Sequence, residues 1–427
     1  MRNKLIIVIF VSLFSFCYTA TGQKNINSPY SRFNIGTLEP QGSFRSFGMG
    51  SVGTAIRDNS SIYFLNPASY SSLDTISFVF DFGIDYRKNY LTGGSTKYSS
   101  DDINFHHLIM GFPLMKGWGV ALGVVPMSSG YYNIFGKVIS TDEGYDPNIG
   151  EYDVFHGGNG TITKFFIGSG LKVSKKLSIG VNMTILSGQL NRTNQFVFAD
   201  YYNVFHSSTT ENLELVGINF DYGIHYTTSL KNEYFLTIGA SLTSGNNYNS
   251  KYDQLSFKYT AFGVRDTISN VSENNAKTFI PGTLRLGISF GKQNKFTTGI
   301  DFTTTKWSAS KIPGSVNYAA DTKSWAFGAE YIPDKYSNYS FINRMEYRIG
   351  GHIGDNYLII NGGQIKEYGA SIGIGIPMRR TISKTNLFFD FTRKTGSGSN
   401  NLDREDYLSM GISLNLYDYW FMKKKYD

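Results

Sequence analysis

The sequence holds one cysteine, Cys17, close to its start. A mature chain beginning beyond it has no thiol, which excludes disulfide staples and thiolate metal sites. Charged residues make up only 17% of the 427 positions, below the ~25% usual in soluble domains. The 40 basic and 33 acidic side chains are scattered, and only Lys423–Lys425 form a run. No concentrated basic face is therefore available for a nucleic acid. Beyond the first residues no segment offers ~18 consecutive apolar positions, which excludes membrane-spanning helices. The six His (His106, His107, His156, His206, His225, His352) show no His-x-x-x-His or acidic pairing of a zinc site. As neighbours on one strand, His106 and His107 are expected to point to opposite faces. The glycine run Gly48–Gly53 lacks the lysine of a phosphate loop and reads as backbone packed closely against other structure. Acidic residues Asp142, Glu143, Asp146 and Asp153 read as solvated loop rather than a calcium site. These absences predict a protein with no metal, no cofactor and no catalytic residue.

What is plentiful points elsewhere. The chain has 46 Gly, 33 Phe, 30 Tyr and 4 Trp, a composition suited neither to disorder nor to a helical bundle. Its first residues, Met1-Arg2-Asn3-Lys4, are basic, and Leu5–Tyr18 is nearly all apolar. Small residues Ala20 and Gly22 follow, so residues 1–22 read as a secretory signal peptide. Alternation of period two then recurs along the chain. Leu177, Ile179, Val181, Met183 and Ile185 oppose Ser178, Gly180, Asn182 and Thr184. Leu408, Met410, Ile412, Leu414 and Leu416 oppose Ser409, Gly411, Ser413 and Asn415. Strand side chains alternate between faces, so each segment has one apolar face and one small or polar face. A soluble sandwich would load the second face with Lys and Glu. Gly, Ser and Asn there, and lengths near ten residues, fit a transmembrane antiparallel β-barrel with its apolar face toward lipid.

The pattern places fourteen strands between 75 and 419, joined alternately by short turns and long loops. The long loops are expected at 89–101, 135–158, 191–211, 246–277, 307–322, 353–365 and 396–405. An even strand number fits a single-chain barrel with both termini in the periplasm. Residues 23–73 are long and apolar enough to plug the lumen. The domain reading is therefore signal peptide 1–22, hatch 23–73, barrel 74–421 and basic periplasmic tail 422–427. Lumen-facing positions include Asp81, Asp85, Asp221, Asp301, Arg344, Glu346 and Arg348, expected to pair across the barrel or to the hatch.

Met49-Gly50 followed by Ala55, then Asn66-Pro67-Ala68 just ahead of the first strand, resembles the long-chain fatty-acid transporter (FadL-like) family. The resemblance implies a fourteen-strand outer-membrane barrel with an N-terminal hatch. Pro126 in the third strand fits the family's kink, and a proline inside a strand marks a bulge or bend. The family's lateral opening would then be formed by Pro126, Met127, Ser128, Ser129 and Gly130. Arg344 or Arg348 would hold a substrate carboxylate. The implied function is passive uptake of a hydrophobic, fatty-acid-like molecule. External loops bearing Phe196, Phe198, Tyr201, Tyr202, Phe205, Phe257 and Phe262 would capture it, with lateral release into the membrane. Implied partners are membrane lipids, that ligand and envelope proteins. Related barrels also serve secretion, so the alternative is a non-transport subunit of a secretion or outer-membrane assembly machine.

Overall fold

The computed structural model describes residues 28–419, apart from 94–95, 143–144, 199–203, 261, 316–318, 361, 380 and 397–403. The segments expected as signal peptide and basic tail, with Tyr201 and Tyr202, lie outside the described residues. In chain order the strands are β1 (Thr37–Leu38), β2 (Ser77–Gly93), β3 (Thr96–Met115), β4 (Trp118–Ser129), β5 (Tyr132–Val138) and β6 (Tyr152–Lys172). Then come β7 (Leu177–Phe198), β8 (His206–Ser229), β9 (Tyr234–Thr243), β10 (Asn246–Tyr259), β11 (Arg265–Ile280) and β12 (Thr283–Lys292). The last are β13 (Phe296–Thr305), β14 (Thr322–Tyr331), β15 (Glu346–Ile360), β16 (Gly363–Pro377), β17 (Lys384–Thr395) and β18 (Arg404–Tyr419).

Fourteen of these close into an antiparallel transmembrane barrel, with four extra strands. Each wall strand pairs with the next, and β18 returns to β2 with Tyr419 opposite Ser77 and Arg404 opposite Thr92. Closure satisfies every ladder within the wall, as a bilayer requires of a spanning sheet. Ile179, Val181, Met183 and Ile185 of β7 are exposed on the outside, while Ser178, Asn182 and Thr184 are buried within. On β8, Ile218, Phe220, Tyr222 and Ile224 face out, and Asn219, Asp221 and His225 face in.

The expected long loops prove largely to be strand. β2 and β3 run to Gly93 and from Thr96, so the loop placed at 89–101 is a hairpin end. The 246–277 region is the hairpin β10–β11, and β10 pairs with the upper part of β8 from His206 to Val216. β5 pairs with Tyr152–Gly158 of β6. Beyond the apolar band the outer face turns largely polar while Leu190, Leu213 and Leu215 stay buried within, so the apolar-outward alternation disappears while backbone pairing continues. The strands β5, β6, β7, β8, β10 and β11 thus rise together as one tall sheet at one end of the barrel. Phe196, Phe198 and Phe257 lie on these strands rather than in loops.

A second correction concerns the histidine pair. Gly83 pairs with His107 and Ile84 with Phe105, so His106 is an extra residue in a β-bulge. A bulge sets two residues against one, and both imidazoles turn inward, buried, with their Nδ1 atoms 2.8 Å apart.

The short-turn end is expected to face the periplasm and the tall sheet the outside. A protease-sensitive tag at Gly263, between β10 and β11, should then be cut on intact cells. Tags at Lys175 or Asn294 should be protected, and the reverse pattern would invert the barrel.

Candidate functional site

The N-terminal segment lies inside the barrel, and local sequence explains its turns. Ser43 caps a helical turn, Phe44–Phe47, by accepting from the Ser46 N–H. Asn66 caps the 3-10 turn Pro67–Ser72, its side chain accepting from Ala68 N at 3.2 Å, with Pro67 at the first helical position. Such a cap followed by proline is the favoured start of a helical turn. The other end of the same amide donates to the carbonyls of Thr54 (2.9 Å), Ile224 (3.2 Å) and Ala240 (3.2 Å). Asn66 therefore both starts the turn and ties it to β8 and β9. Asn66, Pro67 and Ala68 are buried, as are Met49, Gly50 and Ala55.

Glycines of the wall let the hatch backbone touch it. A Cβ on Gly350 would overlap the Met49 carbonyl carbon and Gly50 nitrogen, and one on Gly180 would overlap Pro67. Gly50 itself has φ +68°, a conformation that glycine adopts without steric cost, and its N–H donates to Ser371 Oγ at 2.9 Å. Gly53 and Thr54 N–H groups both donate to Asp301 Oδ2, at 2.8 and 2.7 Å. Ala55 accepts from Ser289 Oγ at 2.8 Å. Apolar packing completes the seat. Ile62, Phe64, Tyr70 and Leu73 of the hatch bury against Val79, Ile109, Ala121 and Phe166 of the wall.

A buried ion cluster clamps the segment from one side. Arg45 binds Glu330 through Nη2–Oε1 (2.7 Å) and Nε–Oε2 (2.9 Å), and its Nη1 meets Asp58 Oδ2 at 2.5 Å. Arg348 Nε reaches the same Glu330 at 2.6 Å, and its other nitrogens go to Glu346 and to Asn386 Oδ1 (3.1 Å). Lys384 Nζ closes the series on Glu346 at 2.6 Å. Three cations thus balance three carboxylates, so the cluster is neutral although it is excluded from water. Burial would raise the Asp58 carboxyl, but the Arg45 and Lys384 charges outweigh it and hold it well below the usual carboxylate range.

The two arginines singled out from sequence part company. Arg348 is fully occupied in this cluster. Arg344 belongs to a helical turn, Phe341–Arg344, ahead of β15, where its guanidinium stands over the Phe341 ring at 5.5 Å. The strand that follows, β15, starts only at Glu346, because Ser340 caps a turn by accepting from Asn343 N, so Arg344 is not a lumen-facing strand position. Arg45, Asp58, Glu330 and Lys384 were not foreseen. The available signal was Arg45 itself, a charge between Phe44 and Phe47 in an apolar stretch, which requires a buried counter-ion.

Pro126 sits at a second bulge. It pairs with Thr163 while Ser128 pairs with Ile162, leaving Met127 extra. The strand β1 lies against this place from the lumen, Thr37 opposite Ser129 and Leu38 opposite Ser128. Glu39 N–H donates to the Met127 carbonyl and Gln41 Nε2 to the Pro126 carbonyl, each at 2.9 Å. Gly130 N–H donates to Gly160 O at 2.9 Å, and a Cβ on Gly130 would stand 2.9 Å from Leu190. Ser128 is fully buried and Ser129 nearly so. The carbonyls left over by the bulge are thus taken by the hatch. Beside it lies a cavity of about 400 Å³ lined by Leu38, Met127, Trp307, Arg87, Asp301 and Asp390, among others. Its walls mix aromatic with ionic groups. Among the described residues no group of His, Cys, Asp and Glu is placed to hold a metal ion.

Comparison with known proteins fits this architecture. The family model BamG matches residues 1–427. The chain belongs to the BamG family. No curated protein matches the sequence. Among solved structures, this BamG-family chain is similar to the toluene transporter TodX of P. putida, at 14% identity and TM-score 0.61, covering 90% of this chain and 100% of that one. The toluene transporter TbuX of Ralstonia pickettii gives 14% identity and TM-score 0.59, covering 88% and 98%. A FadL homologue of Pseudomonas aeruginosa gives 12% identity and TM-score 0.57, covering 90% and 99%. The likeness is one of fold, and the fold of this BamG-family chain is the FadL-like barrel of outer-membrane channels.

Proposed function

We propose that this BamG-family barrel is a permanently plugged, non-transporting subunit of an outer-membrane protein-assembly or secretion machine. The observation that carries the reading is the clamp on the hatch. Arg45 holds two carboxylates, one of them the wall's Glu330, which it shares with Arg348, so moving the hatch would break the buried two-point Arg45–Glu330 pair. Removing one partner of such a cluster costs ~3–5 kcal/mol, far above thermal energy. The hatch strand also covers Pro126–Gly130, where an apolar solute would have to leave. Membership of the BamG family, rather than of a named transporter family, weighs on the same side. Chain tagged at the tall end and extracted in mild detergent should carry a large assembly barrel in fixed stoichiometry. Its depletion should lower the level of other outer-membrane barrels. Tagged chain that arrives with lipid alone, and depletion that spares other barrels, would reject the proposal.

A second reading is passive uptake of a hydrophobic small molecule through the outer membrane, with lateral release at Pro126–Gly130. Two observations favour it: structures sharing the fold are named toluene transporters, and a cavity adjoins Met127. On that reading β1 must leave the kink, and uptake of labelled toluene or oleate would fall when Gly130→Trp fills it.

A further inference from the structure

The outer face of the tall sheet carries a row of amides that the plug and the wall do not use. Asn159 of β6 pairs with Asn191 of β7, Asn191 with Asn212 of β8, and Asn212 with Asp253 of β10. Asp253 in turn pairs with Ser272 of β11. These residues share the parity of the outward, lipid-facing positions of β7, because the β6–β7 and β7–β8 ladders run without a bulge from the wall into the tall sheet. The row is tied sideways. Asn191 Nδ2 donates to Asn159 Oδ1 at 3.0 Å, and Gln189 Nε2 bridges Asn191 and Asn212 at 3.1 and 2.9 Å. Ser272 Oγ donates to Asp253 Oδ1 at 2.5 Å. Asn212 Nδ2 also donates to Glu214 Oε1 at 3.1 Å, and these contacts lie on the exposed surface, where the second lone pair or N–H of each amide is open to a ligand.

Height decides what could meet the row. Below the row the last large apolar outward residue of β7 is Ile185, six positions from Asn191, and on β8 the exposed Val216 stands four positions from Asn212. At ~3.3 Å per residue on a strand tilted ~40°, the row stands on the order of 10–15 Å above the apolar band. That is beyond acyl chains and their ester region, at the level of a glycolipid's outer sugars. Charge decides between its sugar and its phosphate. Lys251, beside the row, is already bound to Asp253 at 2.9 Å, and the row adds amides, a hydroxyl and a carboxylate rather than positive charge. Amides held at strand spacing match neighbouring hydroxyls. They do not match a phosphate, which calls for Arg or Lys.

We propose that this row, Asn159–Asn191–Asn212–Asp253–Ser272 with Gln189, binds the oligosaccharide of an outer-leaflet glycolipid whose acyl chains lie on the apolar band below. The binding is independent of whether the barrel serves a machine, and it rests on the tall end facing outward, which the tag experiment tests separately. Full-length protein in detergent is titrated with two probes: lipopolysaccharide bearing its core oligosaccharide, and the same preparation reduced to lipid A by mild acid. The core-bearing form should bind at least about tenfold tighter, the equivalent of one or two net hydrogen bonds. The triple variant Gln189→Leu, Asn191→Leu, Asn212→Leu should bind both probes alike, at the lipid A level, while keeping its heat-modifiable gel mobility. The single change Asn191→Ala, at a half-buried position, gives an intermediate loss and serves if the triple variant does not fold. Equal affinity of the wild type for the two probes overturns the proposal, as does unchanged preference in both variants. So does loss of a co-purifying protein with glycolipid binding intact, which would make the row a protein contact.

Discussion

Deletion of residues 23–66 is expected to turn an electrically silent barrel into an ion-conducting one. The wall closes through its own ladders, β18 on β2, and the one strand pairing it takes from the hatch is the short one of β1 with Ser128 and Ser129. The shortened chain should therefore insert and show the heat-modifiable mobility of a folded barrel. Small barrels of about eight strands are filled by their own side chains, and those of 16–18 leave an aqueous channel. A fourteen-strand lumen whose wall faces inward with glycine, as at Gly180, Gly223, Gly328 and Gly350, cannot fill itself once the backbone against those glycines is gone. Removing Arg45 and Asp58 together leaves Arg348 and Lys384 against Glu330 and Glu346, still balanced and now hydrated. Planar-bilayer recording of the two proteins side by side checks the result. A silent deletion variant would mean that another part of the chain, such as the β10–β11 hairpin, blocks the path.

Glu330→Ala is expected to be the most damaging single substitution in the clamp. Glu330 receives Arg45 through both carboxylate oxygens and Arg348 through one. Its loss leaves two guanidiniums close together in a water-excluded site with one carboxylate each, Asp58 and Glu346. Stranding a buried charge in this way costs ~3–5 kcal/mol. The cost falls on the contact between hatch and wall, since Arg45 belongs to one and Arg348 to the other. Hydrogen exchange should thus speed up at Gly50, Gly53 and Thr54, whose N–H groups are bound to Ser371 and Asp301. A factor of ten corresponds to ~1.4 kcal/mol, so about two to three and a half orders of magnitude are expected if the hatch opens as a unit. Glu330→Gln, which keeps an acceptor but not the charge, should fall between. Unchanged exchange in Glu330→Ala would show that the apolar and glycine contacts hold the hatch unaided, and that the ion cluster is dispensable.

The wall was legible in the sequence because a lipid-facing strand must alternate. Ile179, Val181, Met183 and Ile185 outside and Asn182 and Thr184 inside are a direct imprint of two solvents on a period-two backbone. The Asn66-Pro67-Ala68 turn was legible for a local reason too, since a capping amide and a following proline act within three residues. Sequence alone thus determined the barrel, its strand number and the existence of a plug. Above the apolar band this imprint ends. Asn191, Thr193 and Gln195 look like loop, yet pair residue by residue with Asn212, Thr210 and Ser208, because a ladder needs backbone and not hydrophobicity. The bulge that turns His106 and His107 to one side leaves no local trace either. The clamp was out of reach for a stronger reason. Arg45 and Glu330 are 285 residues apart, and which inward carboxylate meets which hatch cation depends on barrel register and on where Met49-Gly50 settles among the wall glycines. Only the closed tertiary structure decided these long-range pairings, since they exist only after every strand has found its neighbour.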